Sequence, residues 1–422
     1  MVADTLPLLR SPTTLRLIPT RRRFQSHPTS FQPGSNRLNP GRVGPLKGVE
    51  MELARRMGSG CFPGRRARPM GEDVMAAAAG VDGEGSPEHL VVMVNGIIGS
   101  KADWRYAAEQ FVRRLPNKVI VHCSECNTSK LTFDGVDMMG ERLANEILAV
   151  VRRWPHVQKI SFVAHSLGGL IARYAIAKLY EPFPKSVPVG PQRSSITDHD
   201  NIMQSPDPLC ESRIAGLEPI NFITFATPHL GSRGNNQLPI LCGLPFLEKR
   251  ASQTAHLVAG RTGKHLFLSD GKDGKPPLLL QMVKDSDDLQ FISALRAFKR
   301  RVAYANANYD HMVGWRTSSI RRQDELPKSN LLVVDQKYPH VVFVQRETTD
   351  GNKGSAVNQQ PIGDIEEEMI NGLTQVAWER VDVSFRKSKQ RYVAHTTIQV
   401  KTYWLNSDGA DVVSHMIDNF LL

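Results

Sequence analysis

The chain has 422 residues, 41% of them hydrophobic, which is enough for one large globular core plus tails or insertions. Its net charge of +11 sits at one end: residues 1–70 hold 13 Lys and Arg against 3 Asp and Glu, and the rest carries only +1, which excludes the basic footprint of a nucleic-acid-binding body. Five cysteines, an odd and small number, argue against a disulfide framework and for a reducing compartment, and no run of 18 apolar residues predicts a membrane span.

Residues 1–86 are rich in Arg, Ser, Thr, Pro and Gly without sustained apolar periodicity, so a disordered basic extension is expected. Its early part has the composition of an organellar transit peptide, the alternative being a variable tail. The expected location is therefore intracellular: cytoplasmic, or plastid or mitochondrial if the extension is an import signal. A single body is expected over residues 87–422.

His89 to Val94 is a continuous apolar run, the pattern of a buried strand. It runs into the Gly-rich turn Asn95-Gly96-Ile97-Ile98-Gly99-Ser100. Asp103 is placed to cap a helix through Leu115, and Lys118 to His122 reads as the next strand. Val136 to Trp154 carries Met139, Leu143, Ile147, Leu148 and Val151 on one helical face. The lone Cys123-Ser124-Glu125-Cys126 reads as packing after a strand rather than as a metal or redox pair.

The next stretch organises the chain. Lys159 to Ala164 reads as a strand, Ser166 follows one residue later, then Gly168 and Gly169. Leu170, Ile171, Tyr174, Ala175 and Leu179 then recur at helical spacing. Strand, tight turn with Ser at its apex, and helix make the nucleophile elbow of a serine hydrolase, here as Ala-x-Ser-x-Gly. Small residues flank the Ser because strand and helix cross closely there.

Residues 181–213 are Pro-rich and read as an insertion. A buried strand from Asn221 to Ala226 leads into Thr227-Pro228-His229-Leu230-Gly231, and residues 233–300 form a second insertion, read either as lid and acyl pocket or as extra core. Arg301 to Asn308 is a further strand. Residues 345–365 read as polar loop, Ala377 to Phe385 as a strand, Arg391 to Val400 as its pairing partner, and Asp408 to Leu422 as a closing helix. Alternating β and α elements imply a mostly parallel central sheet with helices on both faces, an α/β class.

A Ser hydroxyl needs a base, and the base needs an orienting acid. In an α/β-hydrolase these follow in the order Ser, Asp, His, each at the carboxyl end of a strand. Asp310 is the favoured acid, two residues beyond a strand, with Asp335 as runner-up. His395 is favoured as base, with His415, His340 and His311 as alternatives. The oxyanion hole requires two backbone N–H groups, assigned to Leu167 after the nucleophile and to Ile97 in the loop after the first strand. This chemistry calls for no metal or organic cofactor.

Several motifs together resemble the serine esterase/lipase-like family of α/β-hydrolases, known chiefly from plants and fungi. They are Val92-Met93-Val94-Asn95-Gly96-Ile97-Ile98-Gly99, Phe162-Val163-Ala164-His165-Ser166-Leu167-Gly168-Gly169-Leu170, Thr227-Pro228-His229-Leu230-Gly231, Tyr304-Ala305-Asn306 and Ala394-His395-Thr396-Thr397-Ile398. Family members usually carry His-Gly where this chain has Asn95-Gly96, a change that keeps the backbone donor. The resemblance implies an α/β-hydrolase fold with a Ser166, Asp310 and His395 triad. It also implies hydrolysis of a lipid or other acyl ester, and with that substrate peripheral membrane contact. A non-catalytic binding protein of the same fold, or an acyltransferase using the same residues, are the rival readings.

Overall fold

The computed structural model describes residues 86–182, 212–232, 260–272, 274–346 and 365–422. The N-terminal extension up to residue 85 lies outside the described residues, as do 183–211 and 233–259 of the two insertions and most of the 345–365 loop.

The strands are β1 (His89–Val94), β2 (Val119–Cys123), β3 (Lys159–His165), β4 (Tyr180–Glu181), β5 (Arg213–Ile214), β6 (Glu218–Phe225), β7 (Arg300–Asn306), β8 (Val341–Gln345) and β9 (Glu379–Val383). Seven form one sheet in the order β2-β1-β3-β6-β7-β9-β8. All neighbours are parallel except β8, which runs antiparallel to β9 at the edge. The chain leaves β1 towards β2 and then returns to β3 on the other side of β1. Such a reversal opens a crevice at the carboxyl ends of the strands, where open α/β sheets bind ligands. β4 and β5 pair as a short antiparallel ribbon at the base of the first insertion.

The inner strands β1, β3 and β6 are buried on both faces, which explains their continuous apolar runs. In β1, Leu90, Val92 and Val94 join the core on one side of the sheet, while Val91 and Met93 join the core on the other. The first side is covered by α2 (Val136–Arg153), α3 (Leu167–Lys178), α4 (Phe291–Ala297) and α6 (Ile365–Leu373); α5 (Trp315–Ser319) is a single turn after β7. The opposite side is covered by α1 (Arg105–Arg114), the short α7 (Ala394–Thr397) and α8 (Ala410–Asp418). Every residue of α3 from Leu167 to Ala177 is buried, as expected of a helix apolar all round and wrapped by its neighbours.

Two local expectations are corrected. Arg391 to Val400 does not pair with β9: it is a 3-10 turn followed by α7, with an Ile398 N–H to Ala394 C=O bond of 3.1 Å. Ala394, Thr397 and Ile398, all fully buried, share one helical face, a spacing of three and four that outweighs the apparent alternation. Asp103 lies inside a 3-10 turn before α1 rather than capping it, and its carboxylate pairs with Lys401 at 3.1 Å. The edge strand β8 and the helix α6 were not anticipated. The Cys123 and Cys126 thiols are free, burial pushes both up to about 12, and no metal-holding cluster occurs among the described residues.

Candidate active site

β3 delivers Ser166 at φ 54° and ψ −128°, a strained backbone for a residue with a side chain. The turn is held because the Ser166 N–H donates to Phe225 C=O at 2.8 Å and the Gly169 N–H donates back to Ser166 C=O at 3.1 Å. A Cβ added at Gly168 would lie 2.5 Å from Val94 O and 2.7 Å from Asn95 O, so helix α3 starts where only glycine fits against the end of β1. The small residues of the elbow are thus a packing requirement between β1, β3 and α3.

The neighbouring strand end supplies the second backbone segment. A Cβ at Gly96 would lie 2.9 Å from Ser166 Cβ, so the Gly96–Ile97 backbone abuts the serine. Asn95 braces that loop: its Nδ2 donates to Gly96 O at 3.1 Å and Asn127 O at 3.0 Å. The Ile98 N–H donates to Thr132 Oγ1 at 3.0 Å. The Ile97 N–H has no acceptor among the described residues. The Leu167 N–H stands in the first turn of α3, where helical N–H groups have no partner of their own.

Asp310 follows β7 in a turn that places Tyr309 at φ 59°. Its buried carboxylate accepts the Met312 and Val313 N–H groups on Oδ1, both at 2.9 Å, and Asn306 Nδ2 on Oδ2 at 2.8 Å. Burial alone would raise its pKa. The charge and hydrogen bond of His395, with the bonds from Asn306 and the Val313 N–H, outweigh burial and hold the carboxyl below its ordinary value.

α7 carries His395 into the same space. Its Nδ1 lies 3.0 Å from Asp310 Oδ2 and its Nε2 lies 3.0 Å from Ser166 Oγ. An ionised carboxylate only accepts, so Nδ1 carries the ring proton and Nε2 is left to accept from the Ser166 hydroxyl. Ser166, Asp310 and His395 are therefore contiguous, although 229 residues separate the serine from the histidine.

The alternatives are engaged elsewhere. His415 accepts or donates with the Tyr304 hydroxyl at 2.8 Å inside α8. His340 pairs with Asp411 at 3.0 Å, His311 is exposed, and Asp335 accepts the N–H groups of Lys337 and Tyr338 in its own loop. A groove of about 850 Å³ runs between β8 and α8, lined in part by Val333, Tyr338, Val344 and His415, and contains none of the Ser166 set.

Two residues of the cluster were not singled out from sequence. His165 points its Nε2 at the carbonyl of His395, 2.7 Å away, and its ring packs 4.7 Å from that of His395. Asn306 bridges Oδ2 of Asp310 and, at 3.3 Å, the carbonyl of Ala394. Both stand inside the quoted motifs, His165 beside the serine and Asn306 at the end of β7, so a polar residue at a buried strand end was the available signal.

Residues 84–320 match the family described as "Putative serine esterase (DUF676)". The chain belongs to this family. Among curated relatives it is similar to "Putative lipase ROG1" of Saccharomyces cerevisiae, 34% identical over 242 residues that cover 55% of this chain and 28% of that one. It is also similar to "Putative lipase C4A8.10" of Schizosaccharomyces pombe, 26% identical over 246 residues covering 55% and 26%. The chain thus spans less than a third of the length of these two relatives. Among solved structures, the mature Bacillus licheniformis lipase BlEst2 is 13% identical, with 55% of this chain and 70% of that one covered at a TM-score of 0.32. That likeness is partial, and the α/β-hydrolase fold of this serine esterase family member stands on its own sheet order and its family membership.

Proposed function

We propose that the chain hydrolyses carboxylic esters of lipids or other acyl groups, with Ser166 as nucleophile, His395 as base and Asp310 as orienting acid. The observation that carries this reading is the continuous line of contacts from Asp310 Oδ2 through the His395 ring to Ser166 Oγ, each 3.0 Å long. Its family, and the lipase names of its curated relatives, support it.

Ser166 Oγ attacks the ester carbonyl carbon as its proton passes to His395 Nε2. The carbonyl oxygen becomes an oxyanion, received by the N–H groups of Ile97 and Leu167. Each such donor is worth roughly 2.7–4 kcal/mol in the transition state. Collapse breaks the bond to the alkoxy oxygen, which takes the proton from Nε2 and leaves as alcohol. Water then attacks the acyl-enzyme, gives its proton to Nε2, and Ser166 is regenerated with release of the carboxylic acid. Asp310 stays ionised throughout and stabilises the imidazolium.

The test is hydrolysis of a series of p-nitrophenyl acyl esters by the full chain. Turnover by the wild type that is lost in Ser166→Ala is expected. Equal turnover by both proteins, or none by a folded wild type on any chain length, would overturn the reading.

A further inference from the structure

The segment that carries His395 also carries a concentrated exposed aromatic surface. Tyr392 and Val393, three and two residues before His395, are 66% and 47% exposed. Tyr403, Trp404 and Leu405, in one helical turn after it, are 56%, 77% and 47% exposed. That turn is tied to α7 by Asn406, whose Nδ2 donates to Thr397 Oγ1 at 2.9 Å and Thr396 Oγ1 at 3.2 Å. On the Asp310 side, Tyr309 meets Tyr392 with ring centroids 6.0 Å apart. These exposed apolar groups therefore border the segments that hold His395 and Asp310.

The same segment is one-signed in charge. From Arg386 to Ser407 there are five Lys and Arg and no Asp or Glu. Lys401 is paired with Asp103, and the Arg391 guanidinium lies over the Tyr392 and Tyr309 rings at 4.7 Å and 5.8 Å. Arg386, Lys387 and Lys389 are exposed. Exposed Trp and Tyr that sit at headgroup level, beside a segment whose own charges are all cationic, are the chemistry that fits an anionic bilayer surface, and the neighbouring Asp103 and Asp408 carboxylates are engaged by Lys401 and by Ser388 Oγ.

We propose that this face, Tyr392 to Leu405 with Arg386, Lys387 and Lys389, docks on an anionic lipid bilayer and so presents the mouth of the Ser166 site to the membrane. The proposal rests on the ester-hydrolase reading for its purpose, but the docking itself does not require turnover. Docking is therefore measured on the full-length Ser166→Ala protein, which separates failure of docking from failure of the chemistry.

Trp404 is a built-in probe. Of the five tryptophans, Trp104 and Trp378 are fully buried, Trp154 and Trp315 are partly buried, and Trp404 alone is exposed. Vesicles of phosphatidylcholine and phosphatidylserine in equal proportion should shift tryptophan emission to the blue, and brominated acyl chains should quench it. Trp404→Phe should abolish the shift and the quenching while leaving hydrolysis of a soluble ester by the otherwise wild-type enzyme unchanged. Lys387→Gln and Lys389→Gln should each lower partitioning by about 5-fold, the effect of roughly 1 kcal/mol per cation near an anionic surface. Added salt should weaken binding in the same direction. Co-sedimentation without quenching of Trp404, which the basic residues 1–70 can produce unaided, overturns the proposal. So does equal quenching in the presence and absence of phosphatidylserine, or self-association of the protein in place of vesicle binding.

Discussion

The Nε2 atom of His165 lies 2.7 Å from the backbone carbonyl oxygen of His395, joining the residue before the candidate nucleophile to the backbone of the candidate base. A carbonyl can only accept, so His165 donates from a protonated Nε2. Burial is the main cause that holds its pKa well below the ordinary histidine value, and the neighbouring His395 charge adds to it. His165 is thus a positioning residue: it fixes where α7 places the His395 ring.

Replacing His165 by Phe keeps the ring and removes the donor. The buried carbonyl of His395 then loses its partner, an effect of about 1–3 kcal/mol. The expected outcome is a fall in kcat of about 10–100-fold with little change in KM, and the same fall in the rate of labelling by a fluorophosphonate. An unchanged kcat in a folded variant would show that His395 is held by other contacts.

Asp310→Asn tests the orientation of His395. The amide offers a donor where Nδ1–H needs an acceptor, which favours the wrong tautomer and disfavours the imidazolium. By analogy with other serine hydrolases, kcat should fall by about 10⁴-fold with the fold retained. The pH dependence of stability is a second readout. The Asp310 carboxyl is held below its ordinary value. Its contribution is therefore fully present above the unfolded carboxylate value, about 3.9, and is lost as pH falls through the folded value. Thermal melts of Asp310→Asn should lack that component at low pH.

His89 predicts acid sensitivity at the far end of the sheet. Ser161 Oγ accepts from Asn221 N at 3.0 Å and from Asn221 Nδ2 at 2.9 Å, so its single proton goes to His89 Nε2 at 2.7 Å. His89 must be neutral to accept it. Burial, with the Lys159 charge adding, lowers its pKa from 6.5 to about 4. The unfolded chain therefore binds the proton first, and stability is full above pH 6.5 and declines as pH falls towards about 4. The total decline from this residue is roughly 3 kcal/mol. In His89→Leu the melting temperature should be lower at neutral pH but should fall less steeply between pH 6.5 and pH 4 than in the wild type. Parallel profiles would show that His89 is not the titrating group.

The parts of this molecule that were legible in the sequence are those set by local pattern. The continuous apolar runs of β1, β3 and β6, and the spacing of Met139, Leu143 and Ile147 in α2, each reflect burial that a strand or helix imposes on its own residues. Ser166 was legible because a tight strand-to-helix turn demands small neighbours, and Gly168 has the end of β1 against it. The segment around His395 was harder: Arg391 to Val400 alternates enough to resemble a strand, and only the partners of Ala394 and Ile398 in the core decide for a helix. His165 and Asn306 were legible as residues but not as roles, because each acts through a bond to a backbone carbonyl more than 80 positions away. The edge strand β8 was missed because its outer residues are half exposed and its partner is nearly 40 residues later.

The most direct test of the Ser166 assignment is covalent labelling of the full chain with a fluorophosphonate, followed by peptide mass analysis. The expected result is one adduct per chain on Ser166 in the wild type, none in Ser166→Ala, and much slower labelling in His395→Ala. Labelling of Ser166→Ala at the wild-type rate, or an adduct mapped to another residue, would contradict the assignment.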